Sequence, residues 1–179
     1  ERGLVEDLAT EAQRVRRLVL RAPVGVTIQT SEEIRTHLGE KLGRDGVERR
    51  RDVYVTLGLI SASLDVHALL LGVLEDQVIG YYEADGAYLA IRQDVMTALR
   101  EQQEDDQVSA TARLVLVHEL VHALQYQAFS GLDLNNEAAS LDQRLALHQL
   151  LEGDASLAML ADVARASGRG KSRAGPRYK

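Results

Sequence analysis

The residues with chemistry to do are His118-Glu119-Leu120-Val121-His122. A helix turns about 100° per residue, so positions four apart lie above one another on one face, and His118 and His122 can offer two imidazole nitrogens to one metal ion. Glu119 stands beside that face. Its carboxylate is placed to act as a base on water held by the metal and is badly placed to be a ligand itself. The setting adds weight to the string. Gln107 to Phe129 contains neither Gly nor Pro, Leu114 to Leu124 is apolar nearly all round, and Ser130-Gly131 is a helix stop. Two histidines and a glutamate inside a helix that must be buried are costly to desolvate unless something pairs with them. A metal ion is such a partner.

Catalytic zinc takes three protein ligands and keeps a fourth position for water, so two histidines require one more donor. Glu152, within Leu150-Leu151-Glu152-Gly153-Asp154-Ala155, lies far enough past His122 for a loop and a returning antiparallel helix, and its apolar neighbours point it inward. His148 sits one turn before Glu152. Contact with substrate, a donated hydrogen bond and simple space filling are all open to it, with packing the plainer reading. Tyr126, one turn past His122, reads as a core aromatic. His37 and His67 read as surface residues. The chain has no cysteine, so thiolate ligands and disulfides are excluded, and imidazole and carboxylate are the strong metal ligands left.

The elements that must position these groups are mostly helical. Apolar residues at 4, 5, 8, 12, 15, 18 and 19 predict an amphipathic helix from Leu4 to Leu20, ended by Pro23. Val24 to Gln29 predicts a short strand. Thr30-Ser31-Glu32-Glu33 is a capping box opening a helix to about Leu42, and a second helix runs from near Gly46 toward Leu57 through the solvated Glu48-Arg49-Arg50-Arg51 patch. Ser63-Leu64-Asp65 caps a helix over Val66 to Gln77, with Leu69, Leu70, Val73 and Leu74 expected to face the core. The period then changes. Val78 to Glu83 and Ala87 to Ile91 are strand-like and separated by Ala84-Asp85-Gly86, which predicts a hairpin directly preceding the metal helix. Glu101 to Gln107 reads as a solvated turn, Leu132 to Asn136 as a loop, and Glu137 to Leu151 as the returning helix.

The chain has 179 residues with 45% hydrophobic content, enough for one domain with a core, expected over 1–167. Residues 168–179 are Gly-rich and basic and read as a flexible tail. Six Tyr, one Phe and no Trp leave the core to Leu, Val and Ala, which favours helix-on-helix packing. The net charge of -6, with no basic stripe, argues against a nucleic-acid partner. No apolar run reaches the length of a membrane span. The chain begins at Glu1 rather than Met, as a processed or trimmed product would, and an exported or cell-envelope-associated protein is the expectation for compartment.

His118-Glu-Leu-Val-His122 followed by Glu152-Gly-Asp-Ala155 resembles the gluzincin zinc metallopeptidases, the branch that includes thermolysin and the aminopeptidases with an Asn-Glu-Gly-Phe-Ala motif. More closely, Gln77-Val-Ile-Gly-Tyr-Tyr-Glu83, His118-Glu-Leu-Val-His-Ala-Leu-Gln125 and Leu151-Glu-Gly-Asp-Ala155 resemble a group of largely uncharacterised bacterial and archaeal proteins with metallopeptidase motifs. The resemblance covers about Gly58 to Met159. It implies a zincin-like α+β fold in which a small sheet or hairpin precedes the active-site helix and a glutamate helix follows. It further implies Zn2+ held by His118, His122 and Glu152, Glu119 as general base, and a peptide or protein substrate. In gluzincins an exposed edge strand before the metal helix pairs with extended substrate, and Ala87 to Ile91, centred on Tyr88, Leu89 and Ala90, is the matching segment. Thermolysin-like members carry an Asp four residues after the ligand Glu that holds a histidine. This chain has Ser156 there, and Asp154 is its candidate for that role. The competing readings are a non-catalytic zinc- or peptide-binding module and a latent fragment of a larger peptidase. Glu119 discriminates, since a purely structural site takes four ligands and no base.

Overall fold

A computed structural model of the chain describes residues 2–101, 107–129, 132 and 139–172. Helix α1 (Arg2–Arg16) buries Val5, Leu8, Ala9 and Ala12 on its apolar stripe. It stops four residues short of the expected Leu20, because Arg17 takes a left-handed φ of 54° and the chain doubles back, the Leu20 N–H donating to Gln13 Oε1 at 3.0 Å. Strand β1 (Gly25–Gln29) leads into helix α2 (Ser31–Leu42), whose capping box is formed in full: Thr30 accepts from the Glu33 N–H and donates its own N–H to the Glu33 carboxylate. Gly43, at φ 60°, closes α2 and opens helix α3 (Arg44–Thr56). In the basic patch of α3, Arg51 is taken up by the Ala62 and Leu64 carbonyls and by Glu48 and Asp52, and so pins the connection to the next helix. Asp65 caps helix α4 (Val66–Gln77) by accepting from the Ala68 N–H.

Strands β2 (Gly80–Glu83) and β3 (Tyr88–Arg92) form the expected antiparallel hairpin. The sheet order is β1-β3-β2, with β1 parallel to β3. The expectation that Ala87 to Ile91 is an exposed edge strand is therefore overturned: β3 is the central strand, paired on both sides, and Leu89, Ala90 and Ile91 are fully buried. A continuous apolar run suits a strand covered on both faces, whereas β2, with its glycine and two tyrosines, takes the edge. Gly80 is needed in β2, since a Cβ there would come within 2.6 Å of the Ala90 carbonyl oxygen.

The hairpin does not lead straight into the metal helix. Helix α5 (Gln93–Glu101), which buries Val95, Met96 and Leu99, lies between them. Helix α6 (Gln107–Ala128) then runs through the middle of the molecule, packed against α1, α5, β2 and helix α7 (Leu141–Ser172). The solvated turn expected at Glu101 to Gln107 and the loop at Leu132 to Asn136 fall almost wholly outside the described residues, as do the helix stop at Ser130-Gly131 and the start of the returning helix at Glu137. The tail expected from 168 is helical as far as Ser172, and 173–179 lie outside the described residues. The core joins Leu89 and Ile91 of the sheet to Leu116, Val117, Leu120, Val121 and Leu124 of α6 and to apolar faces of α1, α5 and α7. Leu69, Leu70 and Val73 of α4 are not part of it. They were expected to face the core and are exposed instead, because α4 packs chiefly on α2 and α3. The architecture is α+β, mostly helical, with one three-stranded sheet. No helix among the described residues is long and apolar enough to cross a membrane.

Candidate metal centre

One turn of α6 places His118 and His122 on the same face, and α7, packed against α6, sets Glu152 against them. The three donors converge. His118 Nε2 lies 3.2 Å from His122 Nε2 and 3.2 Å from Glu152 Oε2, and His122 Nε2 lies 3.5 Å from Glu152 Oε1. Donors bound to one tetrahedral ion at about 2.0–2.1 Å stand about 3.3 Å from one another, so these spacings fit a single ion. Among the described residues this is the one group of His, Asp or Glu side chains gathered closely enough to hold one.

The hydrogen bonds behind the donors decide which atoms are available. Gln125, one turn along α6 from His122 and 1% exposed, donates through Nε2 to the Leu151 carbonyl at 3.0 Å and to Asp154 Oδ2 at 2.7 Å. Both partners are pure acceptors. Its Oε1 is thereby turned to His122 Nδ1, 2.9 Å away, and must accept from a protonated Nδ1. His122 Nε2 is left as a lone pair facing the other two donors, which is the form a metal ligand needs. Burial also holds the His122 imidazole below its ordinary pKa, toward the neutral ring. Asp154 thus serves the histidine through Gln125 rather than by touching it, and Arg16 of α1 steadies Asp154 with Nε at 2.9 Å from Oδ2. Neither Gln125 nor Arg16 was assigned a role from sequence. The usable signal was a glutamine three residues past a histidine on a helix too apolar to leave it unpaired.

Glu119 is largely buried beside the donors, and its Oε2 accepts the Tyr82 N–H at 2.9 Å. Burial pushes its carboxyl up to about 7, against the pull of the Tyr82 N–H and with a further push from the charge of Glu152. The edge strand β2 therefore holds Glu119 by a backbone group. The site opens into a cleft of about 380 Å³ whose near wall is α6 and α7 and whose far wall is α2 and the end of β2. On the far wall, Glu83 accepts from Lys41 Nζ at 3.0 Å and lies 3.2 Å from His37 Nε2, while the His37 ring stacks on Tyr81 at 4.5 Å. His37 is thus half-buried in the cleft wall rather than a surface residue, and His67 is half-buried too; neither joins the donor group. Tyr126 lines the cleft and packs on Tyr82 with ring centres 6.1 Å apart. His148 lines the cleft as well but is exposed, which removes the packing reading for it. Tyr88, Leu89 and Ala90 do not line it; the part of the sheet that does is Tyr81 to Glu83, followed by Ala84 and Asp85 of the turn.

The chain matches no family model, no curated protein and no solved structure. Fold and site therefore define its class on their own: a mostly helical α+β protein with a half-buried His-His-Glu group able to hold a metal ion.

Proposed function

We propose that this chain is a zinc-dependent peptidase with a zincin-like arrangement of the gluzincin type. The observation that carries the reading is the convergence of His118, His122 and Glu152 at 3.2–3.5 Å with a second carboxylate, Glu119, beside them and outside the donor set. Three donors and a base suit hydrolysis better than a structural site does. Zinc, when bound, supplies a Lewis acid for a peptide carbonyl and for water. The chain supplies the rest. His118 and Glu152 are carried by two helices packed on each other, and Gln125 fixes the ring of His122. Glu119, held by the Tyr82 N–H, removes a proton from the attacking water and delivers it to the leaving amine nitrogen. Tyr82 and Glu83 form the stretch of edge strand beside which an extended peptide would run, in place of the segment expected at Ala87 to Ile91.

Elemental analysis of the purified chain is expected to give one zinc per molecule, and a peptide-library digest to give cleaved products. Glu119→Gln keeps size and hydrogen bonding but cannot take up the proton, so zinc content should stay while hydrolysis falls about 10²–10⁴-fold. His122→Ala should lose metal and activity together. Iron in place of zinc, or equal hydrolysis by wild type and Glu119→Gln at full zinc occupancy, would overturn the reading and leave a metal-binding module.

A further inference from the structure

Helix α7 has two apolar faces. One, with Leu151, Ala155 and Ala158, is buried against the rest of the chain. The other is made of Ala146, Leu150, Gly153, Leu157, Leu160 and Ala164, and all six residues are exposed, with Leu150 and Leu157 at 67% and Leu160 at 59%. Their spacing alternates four and three residues without a break. That is a heptad seam, the pattern by which one helix mates along its length with another rather than with a sheet or a solvent layer. At about 100° per residue all six fall within an arc of about 80°, and no polar residue enters that arc between 146 and 164.

We propose that this seam pairs with the same seam of a second copy, antiparallel, in a reversible homodimer. Matching the layers antiparallel sets Leu150 against Leu160 of the second copy, Ala146 against Ala164, and Leu157 over Gly153, so the largest residue at the centre meets the smallest. Gly153 is otherwise out of place in the middle of a helix, since a Cβ there would meet nothing within 4 Å in its own chain. Charge also favours a second copy. Along the two flanks of the seam the only charged residue is Asp154, which is already paired with Arg16, so like faces meet without repulsion. Neither seam nor flanks carry a Lys or Arg to draw an anionic bilayer. The seam is about 27 Å long, and a third of a helix surface over that length is roughly 400 Å² per copy. About 800 Å² in total is small for a specific interface, and the dimer is accordingly expected to dissociate in the micromolar range. Glu152 lies on another face of α7 and the two histidines on α6, so pairing leaves the cleft open, and the proposal stands independently of the peptidase reading.

Sedimentation velocity on the full chain from about 1 to 200 µM tests it. A monomer–dimer equilibrium is expected, with Leu157→Glu raising the dissociation constant at least tenfold while helicity is unchanged. The chain has no native cysteine, so orientation can be read directly. Under mild oxidation, a mixture of Leu150→Cys and Leu160→Cys chains should form the mixed disulfide in preference to either homodisulfide. Wild type that stays monomeric at 200 µM, or a Leu157→Glu chain that dimerises as wild type does, would overturn the proposal; preferred homodisulfides would overturn the antiparallel pairing.

Discussion

Helices α4 and α6 read alike in sequence and end in opposite surroundings. Both are apolar nearly all round. On α6, Leu120, Val121 and Leu124 are 0–1% exposed, whereas on α4 Leu69 is 53% and Val73 45% exposed. The difference lies in the number of neighbours. α6 is enclosed by α1, α5, α7 and β2, while α4 packs chiefly on α2 and α3. An all-round apolar pattern states that a helix gains by being covered, but the topology decides how many sides are. The polar residues follow suit. Inside α6 the buried Gln125 has each polar atom of its side chain matched to a partner, and the same enclosure raises Glu119 toward neutrality.

Substitutions along the two helices test the contrast. Leu124→Ala removes a side chain enclosed on every side and should cost about 2–5 kcal/mol in denaturant unfolding. Gln125→Leu keeps the volume but leaves the His122 Nδ1–H without its acceptor and takes a donor from Asp154, for about 1–3 kcal/mol. If the proposed site takes up zinc, the affinity for added Zn2+ should also fall about 10–100-fold, measured by competition with a chromophoric chelator, because His122 loses the bond that fixes its ring. Leu69→Gln, the same kind of change on α4, should stay within about 0.5 kcal/mol. A cost for Leu69→Gln close to that of Leu124→Ala would mean that the α4 face is covered in solution and would erase the distinction.

Local rules carried much of this chain. The capping box at Thr30, the Asp65 cap and the hairpin around Ala84-Asp85-Gly86 each depend on residues within a few positions of one another, and each is present. Missed features have identifiable causes. Helix α5 is short, and its apolar signal at Val95, Met96 and Leu99 sits between a strand and an acidic stretch. Strand order is not legible in the hairpin alone, because β1 adds to the free side of β3, which makes the run Leu89-Ala90-Ile91 central and leaves Gly80 to Glu83 at the edge.

The pairing of His118 with His122 follows from sequence alone, because a helical turn is a local geometry and needs no other part of the chain. Glu152 was legible as a partner from its motif, but its distance to the histidines was not. That distance depends on how α7 crosses α6, and so on the fit of Leu151, Ala155 and Ala158 into the core. Tyr82 as the holder of Glu119, Gln125 as the link to Asp154, and Arg16 behind Asp154 join residues 37, 29 and 138 positions apart. Only the packed tertiary structure decides such contacts, because hydrophobic burial sets the position of each helix as a body and the polar groups bond to whatever that packing brings within reach.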